Sequence, residues 1–235
     1  MSIKIVSIEG NIGSGKSTLL ENLKNHYKNN QHVIFLKEPV DDWEKIKDAQ
    51  GNTMLQKFYA DQEKYSFAFQ MMAYISRLKI LKDVVDNIRK CKASSADYLT
   101  TEPTYVIITE RSLYTDKYVF AKMLYDQGKI EDVCYQIYLN WFSAFAKDFP
   151  IDCVVYVSTE PQKCYERVHK RARVGEEIIP LAYLEECHKY HGEFLTDKFS
   201  EETKLVLDGN VDIFENEKIV ENWLEQITEL ISNIL

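Results

Sequence analysis

Apolar residues in this chain follow two rhythms. The runs IKIVSI (3–8), HVIFL (32–36), YVIIT (105–109), IDCVVYVS (151–158) and KLVLD (204–208) are short and rich in β-branched residues. They lack the polar alternation of a half-exposed strand, which predicts strands covered on both faces. Between them, apolar positions recur at helical spacing over 19–30, 53–60, 62–90, 114–127, 131–147, 161–172, 181–199 and 215–234. Strands separated by helices predict an α/β fold: a five-stranded parallel sheet flanked by helices. The polar stretch KASSADYLTTEPT (92–104) fits neither rhythm and predicts a mobile loop. In sheets of this kind ligands lie beyond the carboxyl ends of the strands.

The longest helical pattern contains FAFQMMAYISRL (67–78). Phe69, Met72, Ile75 and Leu78 recur at helical spacing and predict burial. Gln70 and Arg77 interrupt them one heptad apart, and with Ala73 they form an i, i+3, i+7 stripe on one side. An arginine in so apolar a setting needs a partner, because an unpaired buried charge is costly.

Composition narrows the class. The 235 residues suit one domain, 1–235, with no repeat, linker or low-complexity tract. Lys and Arg total 29 against 37 Asp and Glu, a net charge of −8, which argues against a general nucleic-acid or anionic-membrane surface. No apolar run is long enough to span a membrane. The five cysteines (91, 134, 153, 164, 187) are scattered and odd in number, which predicts reduced thiols in an intracellular protein. Cys187, His188 and His191 faintly suggest a metal cluster; with no further ligand nearby, helix packing is the favoured reading. Without a targeting segment, the expected location is the cytoplasm, with a virus-encoded protein as the equal alternative.

The chemistry enters with GNIGSGKST (10–18), which places Gly10, Gly15, Lys16 and Ser17 in the pattern G-x-x-x-x-G-K-[ST]. Three of the eight glycines, Gly10, Gly13 and Gly15, fall within six residues here. They let successive N–H groups from Asn11, Ile12, Ser14 and the following residues, through Thr18, face one anion at a helix N-terminus. Lys16 would reach the β/γ-phosphates and the Ser17 hydroxyl a Mg²⁺ ion. DAQG (48–51) matches a short GTPase pattern but closes no strand, and no N-K-x-D motif occurs, so a switch protein is not expected.

Three further stretches follow strand ends or line a helix. LKEPVDDW (36–43) carries Glu38, and ITERSLYTDKY (108–118) carries Glu110 and Arg111. ERVHKRARVGEE (166–177) carries Arg167, Arg171 and Arg173, and five basic residues stand against one acid between 163 and 173. Like charges at i, i+4 repel unless an anion lies between them. Polyphosphate is such an anion.

The ordered set GNIGSGKST, EPV..W, ERS.Y.D.Y.FA, R...R.R..E and IPL.YL resembles the deoxynucleoside kinase family, and within it the deoxycytidine, deoxyguanosine and deoxyadenosine kinase group, in register over about residues 3–209. The resemblance implies a P-loop kinase fold, Mg²⁺ with ATP or UTP as phosphoryl donor, a deoxynucleoside as acceptor, and a homodimer built through a helical bundle. It implies that Glu38 takes the proton of the sugar 5′-hydroxyl, a weak nucleophile that needs an oriented base. Arg111 would bridge the hydroxyl and the transferring phosphate, and Glu110 would help hold Mg²⁺. Arg167, Arg171 and Arg173 would form a lid over the phosphates, spanning about 167–180, with Gly175 loosening its tip. Glu176, counted from Arg173, would hold the 3′-hydroxyl opposite Tyr59; Glu177 is the off-by-one alternative, and Tyr59 has an alternative as a packing aromatic. Asp212 and Ile213, after the last strand, are the candidates for the donor base.

The resemblance also points the Gln70 stripe at the nucleobase. Gln70 offers a donor and an acceptor, Phe69 and Phe120 would sandwich the ring, Leu55 would border it, and Asp116 is the candidate partner for Arg77. Family members that take thymidine carry small-apolar residues or methionine at positions 73, 77 and 116. Ala73, Arg77 and Asp116 therefore imply deoxycytidine or purine deoxynucleosides, with thymidine disfavoured. The rival enzyme reading is a thymidylate-kinase-like monophosphate kinase; the rival outside catalysis is a nucleotide-binding regulator, against which Glu38, Lys16 and Arg111 argue.

Overall fold

The strand β1 (Ser2–Glu9) is followed by helix α1 (Lys16–His26), β2 (Val33–Leu36), the short α2 (Val40–Trp43) and α3 (Met54–Ala60), then the long α4 (Gln62–Ser94). After β3 (Thr104–Glu110) come α5 (Leu113–Thr115), a π-helical segment Asp116–Ala121, α6 (Lys122–Asp126) and α7 (Asp132–Phe145). The chain closes with β4 (Cys153–Ser158), α8 (Pro161–Arg171), α9 (Leu181–Lys198), β5 (Lys204–Asp208) and α10 (Glu217–Ser232). This computed structural model describes residues 2–94, 103–173, 175–213 and 217–235, without the side chains of 92–94 and 217. Most of the polar stretch 92–104 lies outside the described residues; its first three positions continue α4 instead of opening a loop.

The sheet is wholly parallel, in the order β2-β3-β1-β4-β5. Strand residues alternate between two apolar layers, which is why no polar alternation was visible. On one face Val6, Ile8, Val106, Ile108, Val155 and Val157 pack against Leu19 and Leu23 of α1 and Trp223, Ile227 and Ile231 of α10. On the other, Ile5 and Ile107 meet Tyr74, Leu81 and Val85 of α4 and Tyr138 and Phe142 of α7. Each of these buried side chains is worth roughly 1.5–3 kcal/mol of transfer free energy. Because β1 lies between β3 and β4, the chain departs to opposite sides of it, and this opens a crevice at the carboxyl ends.

Two expectations need correction. Ile75 is not core: it is 50% exposed, because six residues beyond Phe69 is 240° around a helix of 100° per residue. Met72 and Leu78 are only half-buried, and the inward stripe of α4 is instead Tyr74, Leu81, Val85 and Ile88. The single helix expected over 114–127 is three segments, with a π-helical stretch between α5 and α6. Such stretches concentrate at functional sites.

Candidate functional site

A cavity of about 670 Å³ opens beyond the carboxyl ends of β1, β2 and β3. Its floor is the loop between β1 and α1. Gly13 (φ 80°) and Gly10 (φ 148°) are required there: a Cβ on Gly13 would come within 2.7 Å of the Cys164 carbonyl oxygen, and one on Gly10 within 2.8 Å of that of Val157. Gly10 and Asn11 stand behind the cavity wall. Asn11 braces the loop by donating from Nδ2 to the Leu184 carbonyl (2.8 Å) while its own carbonyl accepts from Lys16 Nζ (2.6 Å). Ile12, Gly13, Ser14, Gly15, Lys16, Ser17 and Thr18 all line the cavity. Burial lowers the Lys16 ammonium to about 7, with Arg111 adding repulsion and Glu110 and Glu38 opposing both.

At the ends of β2 and β3 four charged side chains interlock. Arg111 holds both oxygens of Glu38 through Nη1 (2.7 Å each) and reaches the Gly10 carbonyl from Nη2 (3.5 Å). Arg111 itself has φ 61°, a left-handed conformation costing about 1 kcal/mol or more in a non-glycine residue, as is common at functional sites. Arg77 arrives from α4 and donates to three partners: Nε to Asp116 Oδ2 (3.0 Å) and Nη2 to its Oδ1 (3.4 Å), Nη1 to the Glu110 carbonyl (2.8 Å), and Nη2 also to Glu38 Oε1 (2.9 Å). The expected partner Asp116 is thus present, and Glu38 is a second partner that spacing could not reveal. Burial alone would raise the Glu38 carboxyl, but Arg111, Arg77 and Lys16 together hold it well below the usual carboxylate range. Burial raises the Asp116 carboxyl to about 6, with Arg77 pulling against it.

Beside this cluster the Ser17 hydroxyl donates to Glu110 Oε1 (2.5 Å), and the other Glu110 oxygen accepts from the Glu38 amide (3.5 Å). A serine hydroxyl and a carboxylate are hard oxygen donors, and this pair fits a Mg²⁺ ion that completes its shell with water and phosphate.

One end of the cavity is aromatic. Phe69 lines it, backed by a stacked Phe58 (4.5 Å, 13°) and an edge-on Trp43 (5.7 Å) whose Nε1 is fixed by Ser76 Oγ (2.8 Å). Phe120 lines it from the π-helical segment, with the Arg111 guanidinium 5.2 Å from its ring centre. Leu55, Tyr59, Gln70, Ala73, Arg77 and Asp116 complete this end. Gln70 is 1% exposed and its Oε1 has no hydrogen-bond partner. An orphaned buried acceptor costs roughly 1–3 kcal/mol, so on the wall of a cavity it marks a place for a donor.

The three lid arginines do not act alike. Arg167 is spent on backbone: Nη1 donates to the Gly209 (2.8 Å) and Ser14 (3.4 Å) carbonyls, and Nη2 to that of Val211 (3.3 Å). It fastens the phosphate loop to the segment after β5, where Asp212 and Ile213 line the cavity. Arg171 and Arg173 both pair with the buried Glu176, the second at 3.1 Å. Glu176 lines the cavity with Tyr59, whereas Glu177 is exposed and accepts from the Gly175 amide (2.6 Å). Gly175 is no loose tip. It is buried at φ 91°, where a Cβ would stand 3.0–3.4 Å from Gln56, so the turn packs on the start of α3.

The cavity also takes in side chains to which sequence reasoning gave no role: Lys37, Val40, Trp43, Lys163, Lys170, Tyr183 and Trp223. Lys163 and Lys170 stand at i−4 and i+3 from Arg167, so helical spacing held the signal for them; nothing local marked Tyr183 or Trp223. Cys187 and His191 lie in the core. His191 Nδ1 shares a hydrogen bond with the Cys187 carbonyl oxygen (2.6 Å), and its ring sits between Tyr156 and Phe120.

Comparison with known proteins converges on one family. A family model described as Deoxynucleoside kinase matches residues 6–232. A mitochondrial deoxyguanosine kinase of Xenopus laevis is 32% identical over 86% of this chain and 76% of its own. Deoxycytidine kinase 2 of Gallus gallus is 35% identical over 94% of this chain and 88% of its own. The mitochondrial thymidine kinase 2 of Homo sapiens is 33% identical over 81% of this chain and 64% of its own. The bases named in these relatives differ, so likeness alone does not choose among them.

Proposed function

Since the chain belongs to the deoxynucleoside kinase family, we propose that it transfers the γ-phosphoryl group of ATP or UTP, held with Mg²⁺, to the 5′-hydroxyl of deoxycytidine and/or purine deoxynucleosides, with thymidine disfavoured. The carrying observation is the acceptor wall: an unpartnered Gln70 Oε1 beside a buried Arg77–Asp116 ion pair. A thymine 5-methyl placed there would desolvate charge without replacing its hydrogen bonds. Cytosine and the purines bring donors and acceptors instead, and Gln70 can pair with either through its amide.

The chemistry follows from groups already aligned. Glu38, kept ionised by three cations, orients the 5′-hydroxyl and accepts its proton as the oxygen attacks. Arg111, touching Glu38 and the Gly10 carbonyl, stands between hydroxyl and phosphate and stabilises the transferring charge. Lys16 and the loop amides receive the phosphates, whose charge favours the ammonium form of Lys16 that burial disfavours. Ser17 and Glu110 would hold Mg²⁺, which neutralises developing charge on the phosphate oxygens. Glu176 and Tyr59 grip the 3′-hydroxyl, and Asp212 and Ile213 border the donor base.

The enzyme works as a homodimer. Supporting this, α7 exposes Val133, Ile137, Trp141 and Phe145 at spacings of four, with Ile75 exposed on neighbouring α4. An apolar stripe of this extent on one helix is characteristic of an interface. Among the described residues no helix is long and apolar enough to cross a membrane. The test of the reaction is phosphoryl transfer from Mg·ATP to deoxynucleosides and, in parallel, to their 5′-monophosphates. Turnover of the former, lost in Glu38→Gln, is the expected result; turnover of the monophosphates alone would overturn it.

A further inference from the structure

The sugar end and the phosphate end of the cavity share one side chain. Glu176 is 6% exposed, and its two carboxylate oxygens are occupied by different lid arginines: Oε2 by Arg171 Nη2 and Oε1 by Arg173 Nη1. Its backbone closes the same turn, since its amide donates to the Arg173 carbonyl (3.0 Å) and its carbonyl accepts from Ile179 (3.1 Å). The residue before it, Gly175, lies against Gln56, which closes a capping box with Thr53 at the start of α3. That helix carries Leu55 and Tyr59 into the acceptor end. The turn that carries Arg173 and Glu176 is therefore seated on the helix that carries Leu55 and Tyr59, and its one buried carboxylate also holds Arg171 at the end of α8.

Each guanidinium has five N–H donors in a rigid fork. Arg171 and Arg173 each spend one on Glu176, which fixes the direction of those left for anions. We infer that Glu176 is a positioning residue for the phosphate-binding arginines, so that a 3′-hydroxyl donating to its carboxylate raises the affinity of the site for the nucleotide donor. This rests on the proposed reading of Glu176 as the 3′-hydroxyl partner and extends it from acceptor binding to donor binding. The consequence is a heterotropic coupling that depends on one hydroxyl group, and by linkage the donor must tighten the acceptor by the same factor.

The test uses the full chain and a non-hydrolysable ATP analogue with Mg²⁺, titrated calorimetrically alone, with a saturating deoxynucleoside that the enzyme phosphorylates, and with its 2′,3′-dideoxy counterpart. The deoxynucleoside should tighten the analogue at least about 5-fold, the lower edge of ordinary coupling, and the dideoxy compound less than about 2-fold. Glu176→Gln should erase the difference between the two. Equal tightening by both nucleosides, or a difference that survives in Glu176→Gln, would overturn the inference. The comparison of the two nucleosides on the unmodified chain decides the matter even if Glu176→Gln does not fold. Failure of the underlying reading looks different: Glu176→Gln would then leave the affinity of the donor-free chain for the deoxynucleoside, relative to its dideoxy counterpart, unchanged.

Discussion

The proposed acceptor end and the proposed donor end of this cavity are built on different principles. At the proposed acceptor end buried side chains hold one another: Arg77 by itself contacts Asp116, Glu38 and the Glu110 carbonyl. At the donor end the contacts are generic. The loop offers backbone amides, Arg167 is committed to backbone carbonyls, and Lys163, Lys170 and Arg171 are exposed. A phosphate can be bound by charge and amides alone, whereas a base must be told from its rivals by paired buried groups. Selectivity should therefore reside at the acceptor end and tolerance at the donor end.

That contrast can be broken in stages. The largest effect is chemical: Glu38→Gln keeps the side chain's size but removes the proton acceptor, and kcat at saturating substrates should fall by roughly 10²–10⁴-fold. Next comes stability. Arg77→Met strands the Asp116 carboxylate, which is 2% exposed, and should cost about 3–5 kcal/mol by denaturant titration. Arg77→Met with Asp116→Ala removes both charges, should recover most of that loss, and should raise kcat/KM for thymidine relative to the other bases.

Acid should attack the acceptor wall as well. Burial depresses His191, which packs edge-on to Phe120, from 6.5 to about 3. Between those values the unfolded chain binds the proton and the folded chain does not, so stability is lost as the pH falls from about 6.5 toward 3. His191→Phe should flatten that part of the stability profile. A smaller effect is expected for Gln70→Leu, which should lower kcat/KM for the best base by about 1–3 kcal/mol of transition-state binding while leaving the KM for ATP unchanged. Smallest of all, Ile213→Ala at the donor end should alter the ATP-to-UTP preference by less than about 10-fold, below the discrimination that one methylene gives in an enclosed apolar pocket.

The sequence made the scaffold and the phosphate loop readable because both depend on local rules. β-Branched runs predicted all five strands, and KLVLD matched β5 to the residue. Glycines at fixed spacing predicted the cradle between β1 and α1. What stayed hidden depends on tertiary approach. No spacing rule brings Arg77 to Glu38, because the two meet only where α4 crosses the end of β2. The π-helical turn at Asp116–Ala121 shares its apolar pattern with an ordinary helix. Gly175 suggested looseness by its residue type, yet its place against Gln56 calls for a missing side chain and a positive φ. Arg167 resembled its lid neighbours in charge, and only the carbonyls of Ser14, Gly209 and Val211 separate its role from theirs.

The most direct test of a selective acceptor end is kcat/KM for deoxycytidine, deoxyadenosine, deoxyguanosine and thymidine, measured on one preparation with saturating Mg·ATP. One of the first three should be the best substrate, and thymidine should rank last. Thymidine as the best substrate would contradict it.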